Sequence, residues 1–158
     1  MIAAACGAVS SDDRQRIGPA LAWSSGRSIR WRSRQGCELA DLEVPGTPVG
    51  SVDPESSTVI YGWLDNRAEI AARLGLPDDA ADHVVYDHAL RTWDGRADHH
   101  LIGSYCAITA LPGGTLRLVR SPWSAPPLHF AAHGGLRIAS SVLRALFAAG
   151  VPRSVDYD

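Results

Sequence analysis

The chain has 158 residues, of which 46% are hydrophobic, and its formal net charge is -2. A chain of this length can form one domain with a sizeable core, since a domain of about 150 residues buries roughly 70% of its unfolded surface. The small net charge disfavours nucleic acid and anionic membranes as partners, because both require a clustered excess of basic residues.

The residue types present exclude several kinds of chemistry. All fifteen basic residues are arginine, so no lysine can form a Schiff base or a P-loop contact. The cysteines, Cys6, Cys37 and Cys106, have no CxxC spacing, and their odd number without a secretory leader predicts reduced thiols in a cytoplasmic protein. No segment approaches the roughly 20 apolar residues needed to cross a bilayer.

Short apolar runs separated by Gly and Pro predict mostly β-strands, beginning with IAAACGAVS and ALAWS. The next run, SIRWRSR, alternates strictly. We therefore expect a strand with Ile29 and Trp31 on one face and Arg30, Arg32 and Arg34 on the other. A solvated arginine face is the favoured interpretation, and an anion site on it is the alternative.

Three helices are predicted, after a loop over the Pro- and Gly-rich residues 44–57. They cover 66–74, 82–93 and 141–149, and the first begins with a capping-box pattern. We expect the first two to pack side by side on one outer layer. Their apolar spacing predicts buried positions at Ile70, Leu74, Val85 and Ala89.

Turn sequences in the second half predict two antiparallel hairpins. PGG at 112–114 and HGG at 133–135 each separate two β-like runs. We expect residues 103–141 to form one meander, with Cys106 and Ile108 on the same inward face.

The order of elements over residues 58–156 resembles the N-terminal glutaminase domain of asparagine synthetases. These proteins are class II glutamine amidotransferases, a branch of the N-terminal-nucleophile hydrolases. The resemblance implies an α+β fold, a four-layer αββα sandwich of two mainly antiparallel sheets. Residues 1–153 would form the glutaminase-like domain, and 154–158 would begin a linker to a synthetase domain that is not in this chain.

The family's strand-to-helix turn, NGEIYN-like, matches YGWLDN at Gly62 and Asn66. In the family an asparagine side chain and the glycine N–H form the oxyanion hole, because amide hydrolysis develops negative charge on the carbonyl oxygen. Here Tyr61 stands in place of that asparagine. It is either a candidate hydrogen-bond donor to the substrate or a strand residue without a functional role. The resemblance also implies that Asp82 holds the α-amino group of glutamine, with a helix N-cap as the alternative.

The candidate nucleophile is Cys6. Family members begin with cysteine, whose own α-amino group acts as the general base for the thiol. Cys6 is preceded by the five residues MIAAA, so its nitrogen is a peptide N–H. It can act as the nucleophile only if those five residues are removed. The competing interpretation is a small buried strand residue.

Several polar family positions are replaced. Ser121 and Pro126 stand where relatives carry Asp and Lys, and Ser141 replaces a Glu. The arginine that binds the glutamine carboxylate has no secure counterpart, although Arg30 or Arg32 lies in the relevant region. We expect a degenerate glutaminase in which Tyr61 or Trp63 fills the space around Cys6.

From this resemblance we expect the chain to be a domain of an ATP-dependent amide ligase related to asparagine synthetase. Its role in that ligase would be structural or in protein interaction. Lasso-peptide macrolactam cyclases and β-lactam synthetases are such ligases. The alternative is an active glutaminase supplying ammonia. The implied partners are a C-terminal synthetase domain, which would bind ATP and magnesium, and glutamine or the peptide substrate. The histidine spacing predicts no metal site in this chain.

Overall fold

The computed structural model describes residues 1–22, 27–42, 56–93 and 95–153. Most of the predicted loop 44–57 and the predicted linker 154–158 lie outside these ranges. The strands are β1 Ile2–Cys6, β2 Ile29–Arg34, β3 Cys37–Leu42, β4 Thr58–Leu64, β5 Gly103–Leu111, β6 Thr115–Arg120, β7 His129–His133 and β8 Leu136–Ser140. The α-helices are α1 Ser11–Ala22, α2 Arg67–Arg73, α3 Asp82–Thr92 and α4 Leu143–Ala148, with a 3-10 turn at Ala97–His99.

The strands form two antiparallel sheets. One has the order β2-β3-β1-β8-β7, and the other has the order β4-β5-β6. In the first sheet β1 is central and pairs with β3 on one side and β8 on the other. The fold is therefore α+β, with two antiparallel sheets and four helices among the described residues.

Three apolar clusters show how these elements pack. The first joins strands of both sheets, with Ile2 and Leu39 from one and Val59 and Ile108 from the other. The second covers β4 and β5 with α2 and α3. The third covers β1, β3 and β8 with α1 and α4. Each sheet thus has apolar contacts to two helices and to the other sheet, which is compatible with a sandwich.

The predicted helix pair is confirmed. Helices α2 and α3 contact each other and share one apolar cluster. Ile70, Val85 and Ala89 are fully buried there, and Leu74 is partly buried. The 3.6-residue spacing was sufficient because both helices present their apolar stripe to a single sheet face.

Both predicted hairpins are also present, but the single meander over 103–141 is wrong. β5 pairs with β6 around the turn at 112–114, and β7 pairs with β8 around 134–135. The two hairpins belong to different sheets, because the segment 121–128 carries the chain across from one to the other. Cys106 and Ile108 do share the inward face.

The sequence prediction missed helix α1 and assigned its last residues to a strand. The helix contains Gly18 and Pro19, which disfavour helix interiors. Its start is fixed by a reciprocal cap: the Asp13 carboxylate accepts from the Ser10 N–H at 2.9 Å, and the Asp13 N–H donates to the Ser10 hydroxyl at 3.1 Å. Ile17 and Leu21 are buried in the helix-to-sheet cluster, so packing and capping outweigh the two breakers.

Candidate functional site

Cys6 is the last residue of β1, and its side chain is 0% exposed. It forms a disulfide with Cys37, the residue directly opposite it on β3. The prediction of reduced thiols is therefore wrong for this pair. Sequence spacing could not reveal it, because the two cysteines meet only through strand pairing.

Processing to a free Cys6 would change the fold itself. The five residues before it include all of β1 except Cys6, and Ile2 to Ala5 are all buried. β1 is the central strand, hydrogen-bonded to β3 and β8. Removing these residues would leave two sheet edges unpaired and empty much of the inter-sheet core.

The third cysteine, Cys106, is free and buried in the same inter-sheet cluster as Cys6 and Cys37. Its Sγ lies 3.8 Å from the Pro127 carbonyl oxygen. Burial raises the pKa of this thiol to about 11. A thiol with that pKa is protonated at neutral pH and is a weak nucleophile.

Tyr61 and Trp63 do not belong to the cluster of buried residues that contains Cys6, and their expected place beside Cys6 stays a prediction. Tyr61 is 39% exposed and Trp63 is 57% exposed, and the Trp63 indole donates to Asp65 at 3.0 Å. Cys6 belongs to the inter-sheet cluster together with aliphatic residues and the other two cysteines.

Gly62 has a structural reason to be glycine. Its φ is +114°, a conformation that other residues rarely adopt. A Cβ built there would lie 2.0 Å from the Ser104 carbonyl oxygen on the paired strand β5. The close pairing of β4 with β5 is thus sufficient to explain the glycine in YGWLDN.

Asp82 is the first residue of α3, and the N-cap is Ala81. Burial raises the pKa of the Asp82 carboxyl, while a hydrogen bond from the Leu64 backbone and the Arg67 guanidinium, 3.8 Å away, oppose that rise. The predicted N-cap role is therefore wrong. Asp82 is a half-buried carboxylate beside the end of β4, and it forms an ion pair with Arg67.

The arginine-bearing face of β2 is not a solvated face. Arg30 donates two hydrogen bonds to Asp41 on β3, at 3.1 and 2.7 Å. Only 8% of the Arg32 side chain is exposed, and its Nη2 donates to the Thr58 carbonyl on β4 at 3.3 Å. Ile29 and Trp31 pack on the opposite, helix-facing side, as the alternation predicts.

Two residues of α3, His83 and Asp87, interact electrostatically with this charged region. Burial lowers the pKa of His83, and the positive charge of Arg32 lowers it further. Asp87, four residues later, is buried and accepts a hydrogen bond from the Ser57 N–H at 2.9 Å. We call Arg30, Arg32, Asp41, His83 and Asp87 the arginine–histidine cluster. Histidine spacing alone does not single out His83, and the sequence signal that could have found it is the i, i+4 spacing of His83 and Asp87, which share one helix face.

The comparisons add no family assignment: no protein-family model and no curated protein matches this sequence. None of the described helices is both long and apolar enough to cross a membrane. Within residues 1–22, 27–42, 56–93 and 95–153, no three His, Cys, Asp or Glu side chains are grouped so that they could hold a metal ion.

Proposed function

We propose that this chain is a degenerate glutaminase-like domain of an ATP-dependent amide ligase related to asparagine synthetase, with a structural or interaction role. The fold would be the four-layer αββα sandwich of the N-terminal-nucleophile hydrolases. Two antiparallel sheets with a shared apolar core, and two helices packed against each sheet, support this proposal.

The observation that carries the proposal is the state of Cys6. The thiol is fully buried and bonded to Cys37, and its nitrogen belongs to the central strand. Glutamine hydrolysis in the family needs an accessible thiolate and a free α-amino group on the same residue. Cys6 has neither, so the domain should not release ammonia from glutamine.

Exposed apolar side chains favour an interaction role. Trp63 lies opposite Ser104, whose hydroxyl donates to the Ser124 carbonyl at 2.9 Å. That bond holds the loop carrying Trp123 beside β5. The exposed residues in this region, which we call the aromatic patch, are Tyr61, Trp63, Ile102 and Trp123. Exposed apolar patches commonly mark protein contacts, and we assign this one to the synthetase domain of the ligase.

The chemical test uses the parent ligase with ATP and its acceptor substrate, with and without glutamine. We expect equal amide formation in both samples, because the substrate's own amine would be the nucleophile. Product that requires glutamine, or ammonia release that disappears in Cys6→Ala, would contradict the proposal. Intact mass gives an independent check, since a mature N-terminus at Cys6 would also contradict it.

The interaction test measures binding of the synthetase domain to Trp63→Ala and Trp123→Ala. Interface tryptophans are frequently hot spots, so we expect each change to weaken binding at least about 30-fold. Phe130→Ala is the matched control, because Phe130 is an exposed aromatic residue on β7 of the other sheet. Equal effects of all three changes would exclude the aromatic patch as the contact.

A further inference from the structure

Arg32 is a buried cation with unused hydrogen-bond donors. Its side chain extends from β2 toward β4, where Nη2 donates to the Thr58 carbonyl. The Nε and Nη1 atoms are buried and have no hydrogen-bond partner among the residues that the structure describes. An arginine has five N–H donors, so a single bond leaves most of them unsatisfied.

The nearest carboxylate does not satisfy these donors. Asp41 has both of its oxygens bonded to Arg30. The closest approach of Asp41 to Arg32 is 3.7 Å, which is too long for a hydrogen bond. Asp41 therefore supplies charge near Arg32 without supplying an acceptor.

His83, on α3, also has a buried polar atom without a hydrogen bond among the described residues. Its Nε2 atom, which donates in one neutral tautomer of the ring, is buried and has no partner within the described part of the chain. The neighbouring acid, Asp87, accepts from the Ser57 N–H and lies 3.7 Å from Arg91. Neither acid of the arginine–histidine cluster is thus bonded to Arg32 or to His83 among the described residues.

Unsatisfied buried donors are costly, and most of all when they carry a charge. We propose that the arginine–histidine cluster binds a small oxyanion, a carboxylate or phosphate group, which accepts hydrogen bonds from Arg32 and His83. Such a group supplies several acceptor oxygens and a negative charge beside a guanidinium, which is the partner that arginine binds best. This site does not depend on glutaminase ancestry.

An ordered water molecule is the competing occupant, because it could also accept from these donors. The two differ in charge. Bound water gives no dependence on the anion in solution, whereas an oxyanion stabilises the folded protein in a saturable way. The dependence of stability on the type of anion therefore decides between them.

The experiment follows thermal unfolding of the full chain in sodium phosphate or sodium acetate, against sodium chloride at equal ionic strength. We expect a saturable rise of Tm in at least one oxyanion and none in chloride. A response to acetate alone identifies a carboxylate site, and a response to phosphate alone identifies a phosphoryl site. No rise, or an equal rise in chloride, overturns the proposal.

Variants locate the effect. Arg32→Gln should abolish the oxyanion response, and Arg73→Gln, which changes a helix arginine paired with Glu69, should leave it intact. Asp41→Asn removes the nearby negative charge and should tighten oxyanion binding about tenfold. If Arg32→Gln does not fold, Asp41→Asn still tests the proposal. An unchanged or weaker rise of Tm with oxyanion in Asp41→Asn would also overturn it.

Discussion

Arg117 on β6 donates a hydrogen bond of 2.6 Å to the hydroxyl of Tyr86 on α3. The same guanidinium pairs with Asp98, whose carboxylate also accepts from the hydroxyls of Tyr86 and Tyr105. This network links an edge strand to a helix and to the segment after it. It is a structural feature, and no sequence motif marked it.

Tyr86→Phe should lower the free energy of unfolding by about 1–3 kcal/mol. The change leaves the ring packed but removes the hydroxyl that joins Arg117 to Asp98. Chemical denaturation measures the difference, and Tyr61→Phe is the control because the Tyr61 ring is exposed. A loss no greater than that of the control would show that the network contributes little.

Stability should fall at strongly alkaline pH. Burial, and then the negative charge of Asp98, raise the pKa values of Tyr86 and Tyr105. Since the raised pKa favours the neutral phenol in the folded state, the stabilisation is complete below about pH 10, the unfolded pKa, and is lost as pH rises above it. Denaturation at pH 8 to 11 should show this loss, and Tyr86→Phe should reduce it.

His83 should make stability fall on acidification. Its pKa is lowered by burial and by Arg32, so the folded state disfavours the imidazolium. The contribution is present above about pH 6.5, the unfolded pKa, and is lost as pH falls toward the folded pKa. His83→Gln should flatten the stability profile between pH 7 and 5. An unchanged profile would show that His83 does not titrate in this way.

The Cys6–Cys37 disulfide should contribute to stability by restricting the unfolded chain. The two residues are 31 apart in sequence, and closing a loop of that length contributes roughly 3–4 kcal/mol in the chain-entropy model. Cys37→Ser should lower the free energy of unfolding by about this amount, and reductant should have no further effect on the variant. If reductant did not change the free energy of unfolding of the wild-type protein, the result would contradict the presence of the disulfide.

How much the sequence could predict depended on whether the information was local. The 3.6-residue spacing of Val85 and Ala89 and the turn at 112–114 specify local geometry, and both predictions hold. Long-range partners were inaccessible: nothing near Cys6 indicates Cys37, and nothing near Arg32 indicates a carbonyl of β4. The arginine alternation gave the correct faces, but burial of one face depends on the second sheet.

Gly62→Ala separates a structural glycine from a catalytic one. The new Cβ would lie 2.0 Å from the Ser104 carbonyl oxygen and within 2.9 Å of further backbone atoms of β5, so the strand pair must separate. We expect a loss of at least about 3 kcal/mol in the free energy of unfolding, because neither backbone can move away without disrupting the strand pairing.

Gly75→Ala provides the matched control for that change. Gly75 also has a positive φ, +68°, but no atom lies within 4 Å of a Cβ built there. Its substitution should therefore cost only the conformational strain, about 1–2 kcal/mol. Denaturation curves of the two variants isolate the steric cost at Gly62. If Gly62→Ala were no less stable than Gly75→Ala, strand pairing would not explain the glycine, and a role of its N–H toward a bound ligand would become the better account.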